Sequence, residues 1–359
     1  MFYHSFNWLF SSRKGGEGLM LLEKIYEKNH LCIKFLNIKF KFNLEHLKQL
    51  YKKSKNYKNY FVVLKERKKQ EKFLKEHLNF INIETFSKCN RQCWFCTNSI
   101  IDRHSKNIRM KESLYKKIID DLAKIKYCGA ITYSYYNEPL LDDIIIDRIR
   151  YARKKLPNAF LFTHTNGDYI NEDYLDKLAD AGLNKLKIQC YLNKDEEFDV
   201  ENILEKKIRA TANKINKSFQ VINKSENVIE VKYDYSKMDV QQSSFNFKEI
   251  GTNRGGAIEN IISSERIEPC FSPFYRMYVT YEGVVLPCCN VRQELNPNFV
   301  MGDLRKESLF EVFTNQKYVN LRQVLEKGPI KIQPCCNCVG VAANICNDVM
   351  DIKFQENRY

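Results

Sequence analysis

Three cysteines on one short loop constrain this chain more than any other feature. Cys89, Cys93 and Cys96 lie in the run Thr85-Phe86-Ser87-Lys88-Cys89-Asn90-Arg91-Gln92-Cys93-Trp94-Phe95-Cys96. Three thiolates so placed can hold three corners of a four-iron cluster. The fourth iron then lacks a protein ligand, and an open position is what a catalytic metal site keeps and a structural one closes. Zinc is the competing reading, but it needs a fourth ligand nearby. None follows within a few residues, and His104 is eight residues on. Asn90, Arg91 and Gln92 make the loop polar, which argues against an inert core cluster.

The C-terminal cysteines carry independent information. Cys270 is followed by Gly283 after twelve residues and by Cys288 after four more; a gap of 46 residues leads to Cys335, and Cys338 completes a Cys-x2-Cys pair. Four thiolates close a [4Fe–4S] site, and a zinc knot is the alternative on ligand count. The stretch from Tyr275 to Leu286 reads as a hairpin turning at Glu282-Gly283, which brings Cys270 and Cys288 together. Cys289 and Cys336 double their neighbours, so assignment within each pair stays open; spacing favours Cys288 and Cys335. Cys32, Cys128 and Cys190 read as small core residues.

Cysteines that cluster in this way favour metal ligation over a disulfide framework and imply a reducing compartment, the cytoplasm. No run of about 18 apolar residues occurs, so no membrane span is expected. The apolar start, Met1–Phe10, lacks a basic leader and is not read as a signal peptide. Net charge is +14, from 58 basic and 44 acidic residues. The excess concentrates between Lys48 and Lys75, where a solvated helix face is the simpler reading than a nucleic-acid, acidic-donor or membrane surface.

Residues 1–79 read as a basic α+β N-terminal extension, with a strand or hairpin over Leu31–Phe42 and basic helix over Leu44–Leu78. From residue 80 apolar strands alternate with amphipathic helices, the pattern of a parallel α/β architecture. Strands are expected at 80–86, 130–136, 160–164, 185–191 and 227–233, and helices at 111–125, 142–156, 172–181 and 200–215. In such sheets ligands gather at the carboxyl ends of the strands. Asn137-Glu138-Pro139 and Thr165-Asn166-Gly167 both fall there.

The Cys-x3-Cys-x2-Cys spacing resembles the signature of the radical SAM enzymes. The resemblance covers residues 80 to about 345 and implies a partial (β/α)6 TIM-like barrel over 80–250. It also implies a small β-hairpin-plus-helix cluster domain over 251–359, similar to SPASM and, more closely, to its shortened Twitch form. The implied cofactors are S-adenosylmethionine, a first [4Fe–4S] cluster on Cys89, Cys93 and Cys96, and one auxiliary [4Fe–4S] cluster on Cys270, Cys288, Cys335 and Cys338. The open iron of the family chelates the cofactor's amino and carboxylate groups, and an electron splits its sulfonium to give a 5′-deoxyadenosyl radical. By the same resemblance Phe95 lies near the adenine, Glu138 near the methionine amino group, Thr165 and Asn166 near ribose and carboxylate, and Gln189 near ribose. Asn137 stands where glycine is usual. Arg254, in Asn253-Arg254-Gly255-Gly256, reads either as a fork for a carboxylate or phosphate or as part of a surface turn. The implied reaction is oxidation or epimerisation of a sugar, aminocyclitol or similar polar small molecule, with flavodoxin or ferredoxin as electron donor. The competing implication is a maturase acting on a peptide or protein; a non-catalytic iron–sulfur scaffold is the third.

Overall fold

The computed structural model describes residues 53–338 except 260, 262–264, 267, 268, 328 and 331, together with the backbone of three earlier strands. The chain divides into two compact units, 1–58 and 59–359. Within the first, β1 (Glu23–Glu27), β2 (His30–Phe35) and β3 (Ile38–Asn43) form an antiparallel sheet in that order, so the expected hairpin is present. The side chain of Cys32 and all of Cys346 lie outside the described residues.

The second unit is organised by one sheet. Its parallel strands are β4 (Phe80–Ile83), β5 (Ala130–Thr132), β6 (Phe160–Thr165), β7 (Lys185–Gln189) and β10 (Asp239–Phe245). Between β7 and β10 the chain detours through an antiparallel pair, β8 (Phe219–Ser225) and β9 (Val228–Tyr233). The strand expected at 227–233 is therefore present but antiparallel, and the fifth parallel strand is the polar segment after it. The sixth parallel strand, β11 (Arg276–Val279), pairs with β4 on the other side and continues into β12 (Val284–Leu286) and β13 (Gly302–Asp303). The sheet runs β13-β12-β11-β4-β5-β6-β7-β10-β9-β8 and its ends do not pair, so the barrel is partial.

Helices cover the outer face. In α2 (Glu112–Lys124) Leu114, Ile118, Ile119 and Leu122 are buried at helical spacing. In α3 (Ile145–Lys155) the buried stripe is Ile145, Ile149 and Ala152, and α4 (Glu172–Asp180) buries Leu175 and Leu178 behind an Asn171 side chain that accepts from the Tyr174 N–H. The helix α1 (Arg67–His77) packs on α5 (Leu309–Phe313): Arg67 donates to Ser308 at 2.8 Å and its guanidinium lies 3.9 Å over the Phe310 ring. The hairpin turn after β11 is at Glu282-Gly283, as expected. Gly283 has φ +88°, a left-handed conformation that favours glycine, and a Cβ there would press on the tip of Leu114 at 2.8 Å.

The register sets the inner face. Tyr278, Asn82, Thr132 and Phe162 stand side by side on four neighbouring strands, and all four line one cavity at the carboxyl ends. No helix among the described residues is long and apolar enough to cross a membrane.

Candidate functional site

The cavity is lined by Cys89, Cys93, Cys96, Phe95, Glu138, Thr165, Asn166 and Gln189, which are all eight residues expected on the barrel side. The loop after β4 carries the cysteines. It is tied down by a Cys96 N–H to Cys93 carbonyl bond of 2.9 Å and a Cys89 N–H to Arg103 carbonyl bond of 3.1 Å. Asn90 and Arg91 both reach Asp168, Arg91 with Nε at 2.7 Å. The thiols lie in one another's fields. Burial pushes Cys89 up to about 11, with Cys96 adding to it, and pushes Cys93 up to about 12, with Cys96 and Cys89 adding. Without metal these thiols stay protonated, and ligation must displace the protons.

Glu138 follows β5 and is 2% exposed. One carboxylate oxygen accepts from the Thr165 hydroxyl at 2.6 Å and the Leu140 N–H at 3.1 Å; the other accepts from the Asn166 N–H at 2.8 Å. Burial nevertheless dominates these bonds and raises its pKa to about 7. Asn137, where glycine is usual, uses its side chain to cap its own turn, accepting from the Tyr135 N–H at 3.0 Å. Gln189 accepts from the Ser243 hydroxyl at 3.4 Å. Phe95 is 3% exposed and stacks flat on Phe247, with ring centroids 3.8 Å apart and planes 2° from parallel. His164, on β6, is held neutral by burial and by Lys187 and Lys185, its pKa lowered to about 3.

Arg254 opens a half-buried turn. It lines the cavity, and no carboxylate among the described residues pairs with it. Its Nε has no hydrogen-bond partner among the described residues. Burial works to lower its pKa, but Tyr136, Cys96, Cys289 and Tyr191 outweigh that and raise it. Its φ of +51° opens a left-handed run with Gly255 at +67° and Gly256 at +83°, and such strain in a side-chain-bearing residue clusters at functional sites.

The second cysteine group assembles beside the same cavity. Cys288 lies in the fields of Cys335, Cys338 and Cys270; Cys335 in those of Cys270 and Cys338; and Cys338 in that of Cys270. All six pairs of the expected tetrad are thus close. Cys289 lines the cavity and also lies in the fields of Cys288 and Cys338, whereas Cys336 acts on Cys335. Among the described residues no three Cys, His, Asp or Glu side chains converge on a single-ion point. The donor sets suit cubes: an all-thiol tetrad can close one, and a thiol triplet beside a buried carboxylate suits an open one. Cys128 is exposed, contrary to the expectation of a core residue; Cys190 is buried.

Several contributors were not legible beforehand. Tyr136 donates to the Cys289 carbonyl at 2.6 Å, and Tyr135 donates to the carbonyls of Cys288, at 3.3 Å, and Val291. Tyr191 and Phe247 complete the wall around Phe95. Their only sequence signal is an aromatic or polar residue just after a strand end.

Residues 83–233 match the model of the radical SAM superfamily, and residues 270–339 match the iron–sulfur cluster-binding SPASM domain. The chain is 26% identical over 266 residues to an S-adenosyl-L-methionine-dependent 2-deoxy-scyllo-inosamine dehydrogenase of Niallia circulans, covering 74% of this chain and 94% of that protein. It is 26% identical over 155 residues to a GTP 3',8-cyclase of Clostridium botulinum, covering 41% of this chain and 43% of that one. Among solved structures, BtrN in complex with AdoMet and 2-DOIA superposes with a TM-score of 0.55 at 24% identity, covering 74% of this chain and 94% of that one, a likeness of fold. The chain belongs to the radical SAM superfamily, as an enzyme of S-adenosylmethionine and [4Fe–4S] clusters with a SPASM-type auxiliary domain.

Proposed function

We propose that the chain dehydrogenates a hydroxyl-bearing ring, a sugar, aminocyclitol or similar polar small molecule. The observation that carries this reading is that one cavity touches both cysteine groups: Cys89, Cys93 and Cys96 line one side, and Cys289, next to Cys288, lines another. In the proposed assignment Cys89, Cys93 and Cys96 hold the first cluster, and Cys270, Cys288, Cys335 and Cys338 hold the auxiliary one. Glu138 takes the cofactor's ammonium, Thr165, Asn166 and Gln189 its ribose and carboxylate side, and Phe95 its adenine. When bound, these groups supply reductive sulfonium cleavage, hydrogen-atom abstraction and an acceptor for the second electron.

The chain's own residues supply the rest. Glu138 is pre-aimed by three donors, so it binds an ammonium without having to be ordered first. Arg254, with an unused Nε, presents a planar donor fork to a substrate oxygen. Phe80, Phe162, Phe245 and Tyr278 wall the cavity and keep water from a reactive radical. The relative that covers most of this chain is a dehydrogenase of an aminocyclitol, which supports a small ring over a peptide. We also assign residues 80–250 to the core and 251–359 to the auxiliary domain, a flavodoxin or ferredoxin as electron donor, and the cytoplasm as the compartment.

The test is anaerobic incubation of the reconstituted protein with dithionite, S-adenosylmethionine and a panel of aminocyclitols, sugars and 2-deoxy-scyllo-inosamine. One panel member should give a ketone in step with 5′-deoxyadenosine. Only uncoupled 5′-deoxyadenosine across the panel, with a modified short peptide from the same genomic neighbourhood, would replace this reading by the maturase.

A further inference from the structure

Asn290 lies between the cavity and the auxiliary cysteines and touches both. Its Nδ2 donates to Cys338 Sγ at 3.3 Å, and its Oδ1 accepts from Arg254 at 3.5 Å. The side chain is 8% exposed and cannot trade these partners for solvent. The two ends are also fixed in sense. An arginine only donates, so the amide oxygen must face Arg254 and the amide nitrogen must face the sulfur. Tyr136 and Tyr135 hold the carbonyls of the two preceding residues, Cys289 and Cys288, so the backbone that carries Asn290 is itself anchored to the end of β5.

A hydrogen bond to a ligand sulfur withdraws charge from it and favours the reduced cluster. The guanidinium on the far side polarises the amide and strengthens that bond. We propose that Asn290 is a positioning residue that sets the reduction potential of the auxiliary cluster and makes it depend on Arg254. A ligand that engages Arg254 thereby alters the acceptor next to it without touching a cysteine. This rests on the assignment of Cys338 as a cluster ligand and goes beyond it, since nothing in that assignment requires a donor to the sulfur.

Asn290→Asp keeps the shape and the acceptor toward Arg254 but turns an oxygen toward the sulfur; Asn290→Ala removes both contacts. Redox titration followed by electron paramagnetic resonance reads each cluster separately. Both variants should retain about eight irons per chain. The auxiliary potential should move negative, further for aspartate than for alanine, while the first cluster's potential stays. Arg254→Gln should move the auxiliary potential the same way in the wild-type background and by less once Asn290 is alanine. A second cluster with unchanged potential in both variants overturns the inference alone. So does a parallel shift of both clusters, which would mark a general disturbance. If aspartate prevents assembly, alanine carries the test; loss of the cluster in both would make Asn290 a structural support and overturn the tuning role. A wild-type protein with only about four irons would instead remove the cluster assignment itself.

Discussion

The Tyr136 hydroxyl donates to the Cys289 carbonyl at 2.6 Å, across 153 residues of sequence, and ties the strand end that bears Glu138 to the loop that bears Cys288. The Arg292 guanidinium lies 4.0 Å over the same ring and donates to Thr97, beside Cys96, at 2.8 Å. One aromatic residue thus joins the first cysteine loop, the segment that bears Glu138 and the loop that bears Cys288. Tyr136→Phe leaves the Cys289 carbonyl without its donor while keeping the ring. The expected loss is about 1 kcal/mol of unfolding free energy, the net worth of one hydrogen bond. Anaerobic urea unfolding of the reconstituted protein measures it, and a loss near zero would detach the tyrosine from the loop.

The cysteine assignments separate by iron count. Cys93→Ala should lose about four irons, one cluster's worth. Cys335→Ala should lose the other four, whereas Cys336→Ala should keep all of them, because Cys335 shares fields with Cys270, Cys288 and Cys338 while Cys336 acts on Cys335. Iron and sulfide quantitation with Mössbauer spectra distinguishes the three. Loss on changing Cys336 but not Cys335 would exchange the pair. Cys338→Ala should spare cofactor cleavage while product formation falls.

Glu138 predicts a pH dependence. Its folded pKa, raised by burial from 4.5 to about 7, means that an ammonium ligand meets a carboxylate only above that pH. Affinity for S-adenosylmethionine should therefore fall about tenfold per unit as pH drops below about 7, as proton linkage requires. Equilibrium dialysis between pH 5.5 and 8.5 reads the slope, and Glu138→Gln should bind weakly with no slope. The stability sign is opposite to that of a salt-bridged acid. The folded state holds the proton that the unfolded chain releases, so ligand-free stability declines as pH rises through the window from 4.5 to about 7. The full cost is about 3 kcal/mol above that window.

The helices were legible because burial follows a 3.6-residue stripe: Leu114, Ile118, Ile119 and Leu122 differ from their neighbours in kind. The strand Asp239–Phe245 was not, although Gln242, Ser243 and Ser244 are buried as fully as any core residue. It satisfies its buried polar side chains locally, Ser243 on Gln189 and Ser244 on the Cys190 carbonyl, so apolar alternation is absent. The place of β11 was hidden for another reason. Its apolar pattern announces a strand, but nothing local says that it pairs with β4, nearly two hundred positions earlier. In the site, cysteine spacing identified both groups, and turn residues after strands marked Glu138 and Thr165. Phe247 stacking on Phe95 and Asn290 bridging Arg254 to Cys338 are tertiary facts with no signature in either segment.

The buried pair Arg103–Glu84 supports the first cysteine loop from below. The side chains are 2% and 1% exposed, and Glu84 also accepts from the Tyr136 N–H at 3.2 Å. The Arg103 carbonyl in turn holds the Cys89 N–H. Removing one partner of such a pair strands a charge in the interior and costs about 3–5 kcal/mol, far more than an exposed ion pair is worth. Arg103→Met should show that loss in urea unfolding, together with a lower yield of the first cluster and an unchanged yield of the auxiliary one. Adding Glu84→Gln removes the stranded charge and should recover a large part of the stability, because a neutral amide can still accept from Tyr136. Cluster yield should recover less, since the arginine backbone that positions Cys89 is still without its anchor. A double variant no more stable than Arg103→Met would show that packing of the guanidinium over the Tyr281 ring, 4.8 Å away, outweighs the charge pair.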